Sequence, residues 1–163
     1  MQDHGVLEPS RGRTVWLGKL GVRFMVDGRQ TAGRFALVEH PLPPGALAGP
    51  PHVHAHEDEI TYVLEGEVTV QLGDRVLQAG PGSLIFKPRG VPHTFWNGGP
   101  APLRLLELIT PAGFERYFEE AAACFSPERG PDIPRLLAAA ERYGLTLRME
   151  GLAPIMEQYG LTL

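Results

Sequence analysis

Turn-forming residues divide most of this chain into short apolar segments. The 20 glycines and 16 prolines recur between these segments instead of collecting in a linker. Gly and Pro at such intervals are typical of the turns that join β-strands. We predict strands at residues 14–17, 22–26, 33–40, 52–54, 59–64, 67–72, 75–78, 84–87, 93–97 and 103–109. Strands at this spacing indicate an all-β sandwich or barrel.

The period of the apolar residues changes after Pro111. Residues at helical spacing then form an apolar stripe, namely Phe114, Tyr117, Phe118, Ala121, Ala122 and Phe125. Because such a stripe has to bury its rings, we expect this helix to pack on the β domain and to cover part of the pocket mouth. Further helices are predicted at 133–143, with Asp132 as N-cap, and at 154–159.

Two segments of the tail, 141–147 and 157–163, nearly repeat each other. Each contains a Gly after a helical segment, so we interpret both as helix ends with a Gly cap. We therefore divide the chain into a β-barrel at 1–111, with its motif core at 33–110, and a helical tail at 112–163 that packs on the barrel within the same domain.

Composition narrows the class of protein. With 43% apolar and 21% charged residues over 163 positions, the chain has the usage of one compact globular domain. The formal charge of −4 comes with no run of basic residues, so nucleic acid is not an expected partner. No stretch is apolar enough to span a membrane, and residues 1–4 lack the pattern of a secretory signal, so we expect a cytoplasmic protein.

Any metal site in this chain has to use nitrogen and oxygen ligands. Cys124 is the one cysteine, which excludes an intramolecular disulfide and a thiolate cluster. His52 and His54 lie two apart on a predicted strand, so both face the same side and can chelate a cation. A carboxylate a few residues on, and His93 after a Pro- and Gly-rich turn, can complete the site. A histidine-rich segment is also common in solvated loops, and the pair alone leaves both interpretations open.

Two longer stretches resemble the signature motifs of the cupin superfamily. Residues 52–66 read His-x-His, four residues, Glu, six residues, Gly. Residues 82–97 read Gly, five residues, Pro-x-Gly, two residues, His, three residues, Asn. One departure is Ala46, at a position where the family often has Gly.

This resemblance, which is to small single-domain cupins similar to quercetin 2,3-dioxygenase, implies a jelly-roll β-barrel with a metal inside. The metal ligands it implies are His52, His54, Glu59 and His93. Imidazoles with one carboxylate suit Fe, Mn, Co, Ni, Cu or Zn, so one such divalent metal per chain is the expected cofactor.

The bend between the first strand of the motif and Glu59 contains three further polar residues. His56 forms a second His-x-His pair with His54, and the spacing of the cupin motif leaves it solvated or beside a ligand. Glu57 and Asp58 are interpreted as a solvated charged corner.

Three residues near the implied ligands are expected to line the substrate pocket. Thr61 and Val63 share a strand face with Glu59, and Phe95 shares one with His93. A pocket with such walls is apolar with few polar groups and suits a small, partly aromatic or enol-bearing ligand.

By this resemblance the chain is a metal-dependent dioxygenase acting on a small enol or aromatic molecule, with Glu59 as the catalytic base. The residues themselves support Lewis-acid polarisation and a carboxylate base, and nothing about oxygen. Two alternatives stay open because the fold does not determine the function. One is a non-catalytic cupin that binds a metal and a small molecule, and the other is a metal-assisted isomerase or lyase.

The N-terminal run at 14–26 precedes the motif core and can pair with the sheet edge of a neighbouring subunit. Small cupins commonly dimerise in this way, so the resemblance implies a homodimer.

Overall fold

Two antiparallel β-sheets face each other across a shared core in the computed structural model, which describes residues 5–126 and 128–163. The strands are β1 (Thr14–Leu17), β2 (Leu20–Val26), β3 (Ala36–Leu42), β4 (Ala46–Leu47), β5 (His52–His54), β6 (Asp58–Glu65), β7 (Val68–Leu72), β8 (Arg75–Ala79), β9 (Leu84–Lys87), β10 (His93–Asn97), β11 (Leu103–Thr110), β12 (Phe125–Ser126), β13 (Gly130–Pro131) and β14 (Leu145–Leu147). The helices are α1 (Glu115–Ala122), α2 (Ile133–Arg142) and α3 (Leu152–Tyr159).

The order of strands in the first sheet is β1-β2-β3-β11-β6-β9. The second sheet has the order β14-β5-β10-β7-β8, with β4 beside β10. The predicted all-β architecture is confirmed, and each predicted strand is present with ends that differ by a few residues. Strand β4 was not predicted because it contributes only two residues inside a stretch rich in Pro and Gly.

The N-terminal run forms β1 and β2. Strand β2 pairs with β3 of the same chain, from Arg23 opposite Glu39 to Val26 opposite Leu37. Strand β1 pairs with β2 and forms one edge of the first sheet. The run therefore extends its own sheet, and β1 is the edge that remains for the expected contact with a neighbouring subunit.

Alternating side chains of the facing sheets fill the core. On β11, Leu103, Leu105 and Ile109 point inward and are fully buried. They belong to one hydrophobic cluster with Val70 and Phe95 of the second sheet. Residues two apart on a strand face the same side, so Glu107, which lies between Leu105 and Ile109 in this series, also points into the core.

The C-terminal tail packs against the barrel through its apolar stripe. Phe114, Tyr117 and Phe118 are buried in the same cluster as the strand residues. Helix α1 is shorter than the stripe, since Phe125 lies beyond it on β12. The predicted cap of α2 is confirmed, because the Asp132 side chain accepts a hydrogen bond from the backbone of Arg135.

The two similar tail segments both end a helix and then join a sheet. Gly144 and Gly160 follow α2 and α3 with φ of 66° and 65°, a left-handed conformation that favours Gly, so the predicted caps are confirmed. After Gly144, β14 pairs with β5, placing Leu145 opposite His54. After Gly160, Thr162 forms a parallel bridge with Ala46. These strand contacts were not predicted, because three residues carry no measurable period.

Among the described residues, no helix combines the length and the apolar character that crossing a membrane requires.

Candidate metal centre

Four side chains that could bind a metal meet between the two sheets. His52 and His54 point inward from β5, and His93 begins β10 directly opposite His52 in the second sheet. Glu59 approaches from β6 of the first sheet. One potential ligand atom from each of His52, His54, Glu59 and His93 lies within 4.8 Å of the others. The structure therefore brings together all four ligands that the motif implies.

Backbone carbonyls orient two of the three imidazoles. His52 Nδ1 lies 2.9 Å from the carbonyl oxygen of Pro50, and His93 Nδ1 lies 3.1 Å from that of Val91. A carbonyl oxygen can only accept a hydrogen bond, so Nδ1 is the donor in both rings. In the neutral form of each ring, Nε2 then carries the free lone pair that a metal requires.

His54 has the third imidazole and lacks a hydrogen bond. Its Nε2 lies 3.4 Å from Glu59 Oε1, and its Nδ1 lies 3.5 Å from Glu57 Oε2. Within the described part of the chain, these two nitrogens and Glu57 Oε2 are the buried side-chain polar atoms without a hydrogen-bond partner. A buried polar atom left unpaired costs about 1–3 kcal/mol, so native structures retain few of them without a reason.

A divalent transition metal fits this arrangement. Imidazole and carboxylate ligands bind such ions at about 2.0–2.2 Å, so two donors on opposite sides of one ion lie about 4.2 Å apart. The side chains would have to approach one another by less than about 1 Å from the separation of 4.8 Å. An ion bound there would also provide a partner for His54 Nε2.

Behind Glu59 lies a buried group of charged side chains that the sequence analysis missed. Lys87 Nζ lies 2.7 Å from Glu59 Oε2 and also contacts Glu107 Oε1. Glu107 further accepts hydrogen bonds from the Thr61 hydroxyl at 2.6 Å and from His40 Nε2 at 2.9 Å. His40 Nδ1 lies 3.0 Å from the Gly21 carbonyl oxygen, so both ring nitrogens of His40 face acceptors.

The electrostatics of this group keep both carboxylates ionised. Burial alone would raise the pKa of Glu59, but Lys87 and then His54 lower it well below its ordinary value. Burial and the charge of Glu59 raise the pKa of Glu107, but Lys87 and His40 outweigh them and lower it to about 2. Burial lowers the pKa of Lys87, whereas Glu107 and Glu59 raise it above its usual range. Glu59 therefore reaches the centre as a carboxylate, the form that binds a metal.

The pKa values of two histidines move in opposite directions. Desolvation, followed by repulsion from His93 and His54, holds the pKa of His52 well below 6.5. Burial also lowers the pKa of His54, but Glu59 and then Glu57 more than compensate and raise it. His52 is consequently neutral and ready to bind a metal at neutral pH, whereas a metal has to compete with a proton for His54.

A narrow, mostly apolar cavity opens beside the four ligands. The centre of a water-sized sphere can occupy about 90 Å³ of it. His52 and Glu59 lie on the wall of this cavity, as do His40 and Glu107. The tail forms much of the remaining wall, through Phe114, Tyr117, Phe118, Phe125, Pro131, Ile133, Leu136, Leu145, Leu147, Met149, Leu152 and Leu163. The tail therefore forms part of the cavity wall, and it supplies no residue of the four-ligand cluster.

The cavity wall contains one of the three predicted pocket residues. Phe95 lies on the wall. Thr61 is turned to Glu107 and is not part of the wall. Val63 also lies outside the wall, because it is fully buried in the hydrophobic core.

The bend before Glu59 agrees with the sequence analysis for two residues and differs for one. His56 is exposed and stands outside the four-ligand cluster. Asp58 pairs with Arg89 at 2.7 Å near the surface. The interpretation of Glu57 as solvated was wrong, because its side chain turns inward to His54 and the residue is only 8% exposed.

One sequence signal could have identified the missed group of His40, Lys87 and Glu107, and it is the position of Glu107. On β11, Glu107 lies two residues from both Leu105 and Ile109 and therefore shares their strand face, which is the core face. A carboxylate on a core face requires a buried partner, and Lys87 and His40 are those partners.

Known proteins share this sequence pattern and fold. The profile described as Cupin domain matches residues 38–109, which contain all four ligands. Quercetin 2,3-dioxygenase of Bacillus subtilis (strain 168) is 26% identical over 132 residues, which is 81% of this chain and 39% of that protein. This chain therefore spans about two fifths of the length of that relative.

Solved structures extend the comparison. The polyketide cyclase RemF from Streptomyces resistomycificus is 36% identical with a TM-score of 0.51, over 62% of this chain and 69% of that one. A predicted oxalate decarboxylase from Thermotoga maritima has a TM-score of 0.61 at 23% identity, over 66% of this chain and 99% of that one. The latter similarity concerns the fold alone. The chain has two facing antiparallel sheets, both cupin motifs and a relative, RemF, that is 36% identical over 69% of that protein's length. It therefore belongs to the cupin superfamily.

Proposed function

We propose that this cupin binds one divalent transition metal through His52, His54, Glu59 and His93 and acts as a dioxygenase on a small enol or aromatic molecule. The observation that carries the proposal is the position of the three-histidine, one-carboxylate cluster beside an apolar cavity. Such a ligand set suits Fe, Mn, Co, Ni, Cu or Zn and leaves coordination positions for a substrate. The similarity to quercetin 2,3-dioxygenase supports the choice of reaction.

Different residues of the protein would bind the metal and contact the substrate. A bound metal supplies Lewis-acid polarisation of a substrate oxygen and open positions for small ligands. The three histidines hold it through Nε2, two of them with Nδ1 fixed by carbonyl oxygens. Phe95, Phe118 and the tail leucines exclude water and contact the apolar body of the substrate.

Glu59 would act both as ligand and as the base that accepts the enol proton of the substrate. It lies on the cavity wall, where a substrate can reach it. Lys87 keeps it ionised but also reduces its affinity for a proton. The proposed base therefore requires a substrate hydroxyl that is acidic, such as an enol polarised by the metal.

A second candidate is a metal-assisted reaction without oxygen, such as an isomerisation or a cyclisation. The observation in its favour is the 36% identity to a polyketide cyclase, compared with 26% to the dioxygenase. The aromatic wall of the cavity suits either type of substrate.

One experiment distinguishes these functions. Protein purified without an affinity tag is stripped with a chelator, reloaded with each candidate metal, and screened against flavonols and other enols with an oxygen electrode. A dioxygenase consumes oxygen only when both metal and substrate are present, and the matched variant His93→Ala is inactive. Conversion that proceeds equally under anaerobic conditions would overturn the dioxygenase in favour of the second candidate. Saturable binding of these compounds without conversion would leave a non-catalytic binding protein.

A further inference from the structure

We propose that Glu57 is a positioning residue of the metal centre, whose carboxylate accepts the hydrogen of His54 Nδ1 and thereby aims Nε2 at the metal. The inference rests on the proposed metal binding and extends it to a residue outside the four ligands.

The burial of Glu57 is the first observation in its support. The residue is 8% exposed although it is a carboxylate in a short bend between two strands. Its Oε2 is buried without a hydrogen-bond partner, as are both ring nitrogens of His54. A buried carboxylate oxygen is retained when it has a donor to serve, and His54 Nδ1 lies 3.5 Å away.

The other two histidines provide the second observation. His52 and His93 each have Nδ1 fixed by a backbone carbonyl oxygen, of Pro50 and Val91. No carbonyl oxygen serves His54 in this way within the described residues, and Glu57 takes that place. A carboxylate is a stronger acceptor than a carbonyl and increases the affinity of the ring for a metal. The three imidazoles therefore share one arrangement, with an acceptor at Nδ1 and Nε2 facing the centre.

The distance between Glu57 and His54 fits a contact that closes when a metal is bound. Charge-assisted hydrogen bonds measure about 2.7–2.9 Å, so the observed 3.5 Å has to shorten by less than about 1 Å. A metal on Nε2 would leave the hydrogen of the neutral ring on Nδ1, where it faces Oε2.

The backbone holds the bend so that Glu57 turns inward. Ala55 donates a backbone hydrogen bond to the Gly144 carbonyl at 3.0 Å, and Gly90 donates one to the His54 carbonyl at 2.9 Å. The His56 ring packs on Gly144, where a Cβ atom would lie 2.8 Å from His56 Cδ2. The bend is thus anchored on the tail at one side and on the loop before β10 at the other.

The test compares three single variants, Glu57→Ala, Glu57→Gln and the control Glu65→Ala, which removes an exposed carboxylate of β6. Affinity for Zn²⁺ and Co²⁺ is measured at one neutral pH by competition with a chelator, and the visible spectrum of the Co²⁺ protein reports the ligand geometry. We expect Glu57→Ala to weaken binding about 10–100-fold and to alter the spectrum. Glu57→Gln should recover much of the affinity, because its amide oxygen can still accept from Nδ1. The control should match the wild type.

A second readout separates positioning from a general structural role. Without metal, Glu57→Gln should melt close to the wild type, because it keeps the size of the side chain and an acceptor for His54 Nδ1, so its recovery of affinity reports the acceptor and not the fold. Wild-type affinity in Glu57→Ala, equal losses of affinity in Glu57→Gln and Glu57→Ala, or a metal-free Glu57→Gln that melts well below the wild type would each overturn the inference. A wild type that binds no metal would instead refute the proposed function.

Discussion

The buried ammonium of Lys87 offers a sharp test of the electrostatics behind the metal centre. Lys87 is 2% exposed and touches two buried carboxylates, Glu59 at 2.7 Å and Glu107. Lys87→Met keeps most of the side-chain length and removes the charge, which leaves Glu59 without its ammonium partner. Breaking a buried ion pair from one side typically costs about 3–5 kcal/mol. For a chain of this size, that loss corresponds to a decrease in Tm of about 6–20 °C.

The loss of folding stability caused by Lys87→Met should depend on whether a metal is bound. A divalent cation at Glu59 replaces part of the missing positive charge, so the metal-saturated variant should lose less stability than the metal-free one. By thermodynamic linkage, the stability lost by the metal-free variant minus the stability lost by the metal-saturated variant equals the gain in metal-binding free energy of the variant. The variant should therefore melt at a lower temperature without metal and yet bind the metal more tightly than the wild type.

The assay is thermal and urea unfolding of the wild type, Lys87→Met and Lys19→Met, each with excess chelator and with saturating Zn²⁺. Lys19 is the one other lysine of the chain and is exposed, so its variant should stay within about 0.5 kcal/mol of the wild type. A metal-free Tm of Lys87→Met within about 2 °C of the wild type would refute the reasoning, as would equal losses with and without metal.

Two further expectations follow from the structure, and a third follows from the resemblance to small cupins. The folded-state pKa of Glu107, about 2 against an ordinary 4.5, makes its ionised form stabilising above pH 4.5, and this contribution is lost as the pH falls toward 2. The free energies of unfolding of the metal-free wild type and Glu107→Gln, measured in urea, should therefore differ most near neutral pH and become equal in acid. A difference in unfolding free energy that is independent of pH would contradict this. A chain that ends at Pro111 loses the buried rings of Phe114, Tyr117 and Phe118, each contributing about 2–3 kcal/mol, so an unchanged Tm would exclude their packing role. Light scattering should give the mass of a dimer, and a mass near 17.8 kDa at micromolar concentration would exclude it.

The four-ligand cluster could be predicted from the sequence because residues 52–66 and 82–97 resemble the two cupin motifs. His52 and His54 share a strand face by alternation alone, and the motif distances relate them to Glu59 and His93. Most strands of the barrel could be predicted because Gly and Pro mark their ends. The pairing of strands, such as His93 opposite His52, and the short strands β4 and β14 had to come from the structure.

The charged group behind Glu59 was hidden by the composition of its strands. Strand β11 also has Leu106 and Leu108 on its other face, so the signal that Glu107 lies on the core face is weak. On β9 the usual pattern is inverted, because Leu84 and Phe86 are exposed while Lys87 is buried. Glu57 was missed because a bend has no period, and its inward direction depends on contacts with Gly144 and Gly90 far along the chain.

The most direct test of the proposed centre is the metal content of protein purified without an affinity tag. Elemental analysis after dialysis should find one transition-metal ion per chain in the wild type and in His56→Ala. His52→Ala and His93→Ala should each lose most of it, because neither side chain has a substitute within the cluster. A wild type without metal, or a loss in His56→Ala equal to that in His52→Ala, would contradict the assignment of His52, His54, Glu59 and His93 as the ligands.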